Sequence, residues 1–323
     1  MRGIKLAAAT GCAAALLAPA AAHAGVSRSI HIGGQNPWGV AVDSQTGNVY
    51  VSDRGSASVS VYSERLHKVT RVIGVGQDPE GIAVNANTGR VYVANFGSDS
   101  VSVINANGRP QRVIDTIQNV GVDPNSVAVD PTRDLVYVGT YMSSTVDVIS
   151  GVSDKPAAKI SIPGANIHDV VVNPTTGAVY ASAYNLNYVA EIDLQATRPT
   201  GRLAPYCGAD GLAFDPTRNI LSVAQNACNW SVAGLHVSGP HGVTLTGRAI
   251  TQSRTAPAYL AELPGSYVLA SVPTNDTVEE ISGHTIVNTF RVGPSPEMLD
   301  VDTNTKEVFV ADFGSDTISE FQG

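Results

Sequence analysis

The stretch GIAVNANTGRVYVANFGSDSVSVI, residues 81–104, decides the fold. It contains three short runs of alternating apolar residues, GIAV, RVYVAN and SVSVI, which are separated by turn sequences. Alternation of this kind is typical of β-strands. The turn Asn-Thr-Gly supplies a glycine for a left-handed backbone position. The segment therefore predicts consecutive antiparallel strands joined by tight turns.

The same pattern recurs seven times, and the copies are 40 to 47 residues apart when the centre of the second strand is aligned. The residues at that centre are Tyr50, Tyr92, Tyr137, Tyr180, Ser222, Leu269 and Phe309. A period of this length built from short strands is the signature of a β-propeller with four strands per blade. We predict an all-β, seven-bladed β-propeller with four-stranded antiparallel blades, in which copies five and six match the repeat least well.

The seventh copy has no fourth strand of its own after Phe321. The segment SRSIHIG at 27–33 reads as a strand and precedes the first copy. We predict that 27–33 joins blade seven and closes the ring, because closure removes the exposed strand edges of an open array.

Residues 1–24 are predicted to be a cleaved signal peptide, with Arg2 and Lys5 before an alanine-rich run that ends in Ala22-His23-Ala24. The run is too short and too rich in alanine to span a membrane, so no membrane insertion is expected. Residues 25–323 are then one propeller domain, secreted and extracellular or held at the cell surface. Cys207 lies just before the first strand of copy five, and Cys228 lies in the loop after the second strand of that copy. Both positions are expected on the same side of the blade, which favours a disulfide between them in an exported protein.

The net charge of −8 disfavours nucleic acid as a partner, because an acidic surface repels phosphate backbones. The chain also lacks a Gly-x-Ser-x-Gly elbow, a phosphate-binding loop with lysine, and paired His or Cys metal motifs. Nothing in these motifs points to an enzyme.

The element VYVANFGSDSVSVI at 91–104, echoed by VFVADFGSDTISEF at 308–321, resembles the YVTN-repeat propellers. These are mostly secreted or surface proteins of bacteria and archaea, and the resemblance implies the same fold and location. Relatives by architecture include surface-layer proteins, binding modules, streptogramin lyases and metal-dependent lactonases. The resemblance is specific for fold and weak for function.

The first strand of each copy opens with a small residue. The residue immediately before that small residue is expected to face the propeller axis. These residues are Trp38, Glu80, Asn125, His168, Asp210, Ala258 and Glu297. We call them the axial ring. Three interpretations stay open: a plain polar channel mouth, a divalent cation such as Ca²⁺ or Mg²⁺ held by Glu80, Asp210 and Glu297, or a catalytic cluster of His168, Glu80 and Glu297.

Nine aromatic residues fall in or beside the loops on this side of the propeller: Trp38, Phe96, Tyr141, Tyr184, Tyr188, Tyr206, Trp230, Tyr259 and Phe313. They do not recur in every copy, which suggests contact rather than packing, although Phe96 and Phe313 share one turn motif and are interpreted as structural. Exposed aromatic rings mark binding surfaces. Together with the axial ring they make Trp38, Asn125, Tyr141, Tyr184, Asp210 and Trp230 the predicted ligand-binding residues.

Three functions follow as expectations. The first is a secreted binding propeller that docks a protein partner or a cell-surface glycan through this aromatic and polar loop face. The second is a metal-dependent lyase or lactonase that uses the Glu/Asp/His ring. The third is a structural component of the cell envelope.

Overall fold

A computed structural model of the chain describes residues 24–193, 198–203, 207–227, 230–237, 243–252, 256–263, 265 and 267–323. Seven sheets follow one another along the chain, and six of them have four strands. Consecutive strands within each blade are antiparallel. The predicted seven-bladed, all-β propeller is therefore confirmed. No helix among the described residues is long and apolar enough to cross a membrane.

The strands are numbered β1 to β29 in chain order, and the four strands of a blade are also called A to D. Two short strands come first, β1 (Ala24–Val26) and β2 (Arg28–His31). Blade one has β3 (Pro37–Asp43), β4 (Asn48–Asp53), β5 (Ser58–Ser63) and β6 (Lys68–Gly74); blade two has β7 (Pro79–Asn85), β8 (Arg90–Asn95), β9 (Ser100–Asn105) and β10 (Arg112–Gln118); blade three has β11 (Pro124–Asp130), β12 (Leu135–Thr140), β13 (Thr145–Ser150) and β14 (Lys155–Ser161).

Blade four has β15 (Ile167–Val172), β16 (Val179–Ala183), β17 (Tyr188–Asp193) and β18 (Arg198–Leu203); blade five has β19 (Ala209–Asp215), β20 (Ile220–Gln225), β21 (Ser231–Val237) and β22 (Val243–Gln252); blade six has β23 (Leu260–Leu263), β24 (Tyr267–Val272), β25 (Thr277–Ser282) and β26 (Thr285–Arg291); blade seven has β27 (Pro296–Val301), β28 (Glu307–Asp312) and β29 (Thr317–Gln322). The D–A and B–C loops lie at one end of the blades, called the upper face, and the A–B and C–D loops lie at the other, the lower face.

The predicted closure of the ring is confirmed. Strand β2 pairs antiparallel with β29, with Ile30 opposite Ile318, and it supplies the outer strand of blade seven. Ile30 and Ile32 are both buried, so the closing segment also contributes to the core. The segment before it differs from the simple prediction, because β1 adds a fifth, parallel strand to the outer edge of blade six.

The core lies between the blades, where strand side chains of neighbouring sheets pack face to face. Tyr50 and Val61 of blade one, for example, share a cluster with Ile82 and Val93 of blade two. The repeated strand-B anchors are almost completely buried, and they are Tyr50, Tyr92, Tyr137, Tyr180, Ser222, Leu269 and Phe309. Their recurrence in the sequence therefore reflects packing.

The predicted A–B turns have the expected left-handed position. Gly47, Gly89 and Gly177 adopt φ values of 64°, 65° and 77°. Where Pro-Thr-Arg replaces the glycine turn, the following Asp134 or Asn219 takes a left-handed φ of 52° instead. Asparagine and aspartate tolerate this conformation better than other residues with a Cβ atom.

Two predictions fall wholly or partly outside the described residues. Cys207 is disulfide-bonded, but Cys228 is not among the described residues, so the pairing of these two cysteines stays a prediction. The signal-peptide prediction concerns residues 1–24, of which only Ala24 is described.

Candidate functional site

A shift of register at the start of strand A sets the axial ring. In six blades the pairing of strands A and B slips next to the ring residue, as between Pro37 and Gly39 or between Ile167 and Val170. A β-bulge of this kind bends the strand and turns a side chain out of the regular alternation. The bulge explains how one residue per blade is presented to its counterparts in the neighbouring blades.

Neighbouring blades approach each other closely next to the ring. A Cβ atom on Gly39 would lie 2.3 Å from the carbonyl oxygen of Glu80, and one on Gly81 would lie 2.6 Å from the Cα of Ser126. Gly211 donates its N–H to the carbonyl of Ala258 in the next blade at 2.9 Å. Glycine at these positions lets strand A contact the backbone of the adjacent strand A.

A second ring is formed by the residues that directly follow strand B, one in each blade. In six blades the backbone N–H of this residue donates to a carbonyl of the preceding D–A loop at 2.9 to 3.1 Å. The residues so fixed are Arg54, Phe96, Tyr141, Tyr184, Asn226 and Phe313. Four of the loop aromatics therefore share a repeat position. In the sequence only Phe96 and Phe313 share a turn motif, so the expectation that the loop aromatics fall outside the repeat is wrong for Tyr141 and Tyr184.

One group of upper-face side chains, the histidine cluster, comprises Tyr141, His168, Tyr184, Asp210 and Asn226. The Nδ1 of His168 lies 2.8 Å from Oδ1 of Asp210, whose other oxygen accepts a hydrogen bond from the Asn226 amide. The His168 ring stacks on Tyr184 with centroids 4.3 Å apart and lies 5.4 Å from the Tyr141 ring. Burial, followed by the charge of Asp210, raises the pKa of Tyr184.

Asn125 connects the histidine cluster to blade three, because its amide donates to the carbonyl of His168 at 3.2 Å. Its Oδ1 is buried and has no hydrogen-bond partner in the described part of the chain. The structure therefore brings together four of the six predicted ligand-binding residues, namely Asn125, Tyr141, Tyr184 and Asp210, around His168.

A second group, the arginine cluster, comprises Trp38, Arg54, Glu80, Phe96 and Phe313. The guanidinium carbon of Arg54 lies 4.9 Å from the Trp38 ring centroid and 5.7 Å from that of Phe96, and Arg54 also pairs with Glu80 at 3.2 Å. Trp38 meets Phe313 edge to face at 5.3 Å. Arg54 is thus held by a cation–π contact and an ion pair at once.

Two carboxyls of the axial ring, Glu80 and Glu297, have raised pKa values. Burial raises the pKa of Glu80 to about 7 despite the opposing charge of Arg54. Burial, together with the charges of Asp210 and Glu80, raises the pKa of Glu297 to about 8. The Tyr259 hydroxyl feels the same carboxylates, and burial raises its pKa well above the ordinary value. A buried, partly protonated carboxyl of this kind can donate or accept a proton near neutral pH.

The predicted metal set does not assemble as a binding site. Among the described residues, no group of three or more His, Cys, Asp or Glu side chains is placed to hold a metal ion. The charges of Asp210 and Glu80 act on Glu297, but the three carboxyls are not grouped as metal ligands. The axial ring therefore has carboxyl groups in three blades, but among the described residues these groups do not form a cation-binding site.

Two further predicted aromatic residues, Trp230 and Tyr188, belong to neither cluster. Trp230 is 48 % exposed at the end of the B–C loop of blade five, whereas Tyr188 is buried beneath Arg202 and packs in the core. Ala258 offers no polar group, and the adjacent Tyr259 is half-buried. Tyr206 is outside the described residues.

Sequence reasoning missed Arg54 and Asn226, although each contacts a predicted residue. Both occupy the position after strand B, which the aromatic residues Phe96, Tyr141 and Phe313 fill in other copies. An alignment of that position across all copies, regardless of residue type, would have identified them.

Comparison with known proteins agrees with the fold. A family model described as the NHL repeat matches residues 35–62, which covers strands A to C of blade one. No curated protein matches the chain. Among solved structures, the chain is similar to hydrazine synthase of Kuenenia stuttgartiensis, with a TM-score of 0.77 and 18 % sequence identity over 91 % of this chain and 97 % of that chain. At this identity the likeness shows the seven-bladed propeller fold and nothing beyond it.

Proposed function

We propose that the chain is a secreted binding propeller that docks a partner protein through its upper face. The observation that carries the proposal is a set of exposed apolar side chains in the upper-face loops of three consecutive blades, which we call the apolar patch. Val122, Met142, Leu186 and Trp230 are large apolar side chains that are 39 % to 60 % exposed, and all four lie in loops of this face in blades three, four and five. Exposed apolar residues gathered on one face mark interaction surfaces.

The patch borders the histidine cluster. Met142 follows Tyr141 directly, and Leu186 lies in the same short turn as Tyr184. Half-buried tyrosines beside exposed apolar side chains are typical anchors of protein interfaces, since aromatic rings bury a large area with little loss of rotamer freedom.

The charge of the upper face indicates what kind of partner fits. Its loops carry the acidic residues Asp78, Asp99, Asp123, Asp276 and Asp316. In the described parts of these loops, Arg54 is the only lysine or arginine, and it is paired with Glu80. A partner with apolar side chains set in a positively charged surface would be electrostatically complementary.

Capture from the secretome of the producing organism tests the proposal. The protein is immobilised, and the bound partner is identified and purified so that its affinity can be measured. We expect Met142→Ser combined with Trp230→Ala to weaken binding at least about 10-fold, because truncated anchors cost 2 kcal/mol or more. Val152→Ser is the matched control, because Val152 is 80 % exposed on the lower face.

Three results would count against partner docking. Equal binding by the double variant and the wild type would place the contact elsewhere. Retention of a cell-surface glycan, with no protein captured, would favour the glycan form of the binding hypothesis. The absence of any discrete ligand would favour a structural role in the cell envelope.

The resemblance to YVTN-repeat propellers supports a secreted or surface location, and membership of that family belongs to the same proposal.

The lyase or lactonase alternative has one specific observation in its favour. Asp210 holds the imidazole of His168 by a 2.8 Å contact, as the orienting carboxylate does for a general base. Turnover of a panel of lactones and acidic oligosaccharides that is abolished by His168→Ala would support this alternative.

A further inference from the structure

A pocket of about 680 Å³ opens on the lower face between blades one and two, away from the upper-face clusters. Its blade-one side is formed by Thr46 of the A–B turn, Asn48 at the start of strand B, and Thr70 and Arg71 of strand D. The C–D loop of blade two, residues 106–111, forms the other side. A pocket of this volume accommodates a ligand of oligosaccharide size.

The pocket is cationic in an acidic protein. Arg71 and Arg109 line it, both are exposed, and no carboxylate is among its lining residues. Neither arginine takes part in the ion pairs found in the described part of the chain. Two arginines without ion-pair partners on facing blades form a site for an oxyanion, because the guanidinium fork matches carboxylate, sulfate and phosphate geometry.

The other walls carry neutral polar groups that are held in place by the fold. The amide of Gln111 donates to the Tyr50 hydroxyl at 3.3 Å and to the Ala106 carbonyl at 3.0 Å, which anchors its carbonyl end at the pocket wall. The Asn48 amide donates to the Thr46 hydroxyl at 3.0 Å. Hydroxyl and amide groups of this kind exchange hydrogen bonds with sugar hydroxyls.

We propose that this pocket between blades one and two binds an acidic saccharide, with Arg71 and Arg109 on its oxyanion groups and the threonine and amide side chains on its hydroxyls. The site is independent of partner docking, because it lies on the opposite face of the propeller.

Isothermal titration of the full secreted chain tests the site with three probes: trigalacturonate, neutral maltotriose and inorganic phosphate. We expect trigalacturonate to bind at least about 10-fold more tightly than maltotriose or phosphate, and its affinity to fall as salt is raised. Arg71→Gln combined with Arg109→Gln should lower that affinity at least about 10-fold at an unchanged melting temperature.

The matched control is Lys155→Gln combined with Arg291→Gln, which changes the net charge equally at exposed positions outside the pocket. The control should bind trigalacturonate as the wild type does. The proposal is overturned if trigalacturonate does not bind, or if both double variants lose affinity equally. It is also overturned if phosphate alone binds as tightly, since the pocket would then recognise a bare anion and not a saccharide.

Discussion

At the scale of single residues, the glycines beside the axial ring control how closely the blades approach. The Cβ of an alanine at position 81 would meet backbone atoms of Ser126 and Asn125 at 2.6 and 2.7 Å. Backbone cannot rotate away as a flexible side chain can, so the two strands would have to separate. Gly74 lies in strand D of blade one, and a Cβ atom added there would have no other atom within 4 Å.

We therefore expect Gly81→Ala to lower the free energy of unfolding by about 1–3 kcal/mol. Gly74→Ala is the control and should stay within about 0.5 kcal/mol of the wild type. Urea unfolding followed by circular dichroism measures both. A Gly81→Ala variant as stable as the control would contradict the close approach of blades two and three at the axis.

The residues of the axial ring could be predicted because the repeat fixes their position. Their partners could not be predicted in the same way, since contacts between blades join residues about 40 positions apart with no shared residue type. His168 and Asp210 illustrate both points: each follows from the alignment, but the 2.8 Å contact between them follows only from the geometry of blades four and five.

At the scale of elements, the propeller depends on one short strand that is far from its partner in sequence. Strand β2 pairs with β29 across almost the whole length of the chain, and Ile32 beyond its end is 1 % exposed. Asp300 in blade seven adds a second connection across the closure by accepting the N–H of Val42 in blade one at 2.8 Å.

Deleting residues 25–34 should lower the melting temperature by at least about 5 °C, because it removes a strand and two buried isoleucines. Differential scanning calorimetry measures the change. Ile32→Ala should account for much of the loss, whereas His31→Ala, at an exposed position of the same segment, should have little effect. An unchanged melting temperature after the deletion would show that the closure is not needed for stability.

Elements were predicted well because their periodicity is local. The missing fourth strand of blade seven even predicted the role of residues 27–33. The parallel addition of β1 to blade six was not predicted, because a three-residue strand has too little pattern to be recognised in the sequence.

At the scale of the whole molecule, the fold buries many carboxyl groups that bind protons more tightly than they would in the unfolded chain. Burial raises the pKa of Asp53 and of Asp169 to about 7, and that of Glu64 and of Glu297 to about 8. Between about pH 4 and 8 the folded state therefore holds more protons than the unfolded state. Stability must fall as pH rises through this range.

Thermal unfolding should accordingly occur at a temperature at least about 5 °C higher at pH 5 than at pH 8.5. Glu297→Gln removes one of the raised groups and should reduce the difference, mainly between about pH 5 and 8, where the folded state holds a proton on Glu297 that the unfolded state has lost. Asp115→Asn, at an exposed position in strand D of blade two, should leave it unchanged. A protein more stable at pH 8.5 than at pH 5 would contradict the sign of these shifts.

The function of the molecule could be predicted only as a choice between classes. The sequence indicated which face to examine, because the axial ring and the loop aromatics are predicted on that side of the propeller. Which of these side chains remain exposed depends on packing between blades. Tyr188, the first residue of strand β17, is buried, whereas Trp230, the last residue before strand β21, is 48 % exposed.

Hydrogen–deuterium exchange of the chain with and without its purified partner tests docking through the upper face. We expect slower exchange in the loops at 121–123, 141–144 and 184–187, which surround the apolar patch and the histidine cluster. Protection confined to the A–B and C–D loops of the lower face would contradict it.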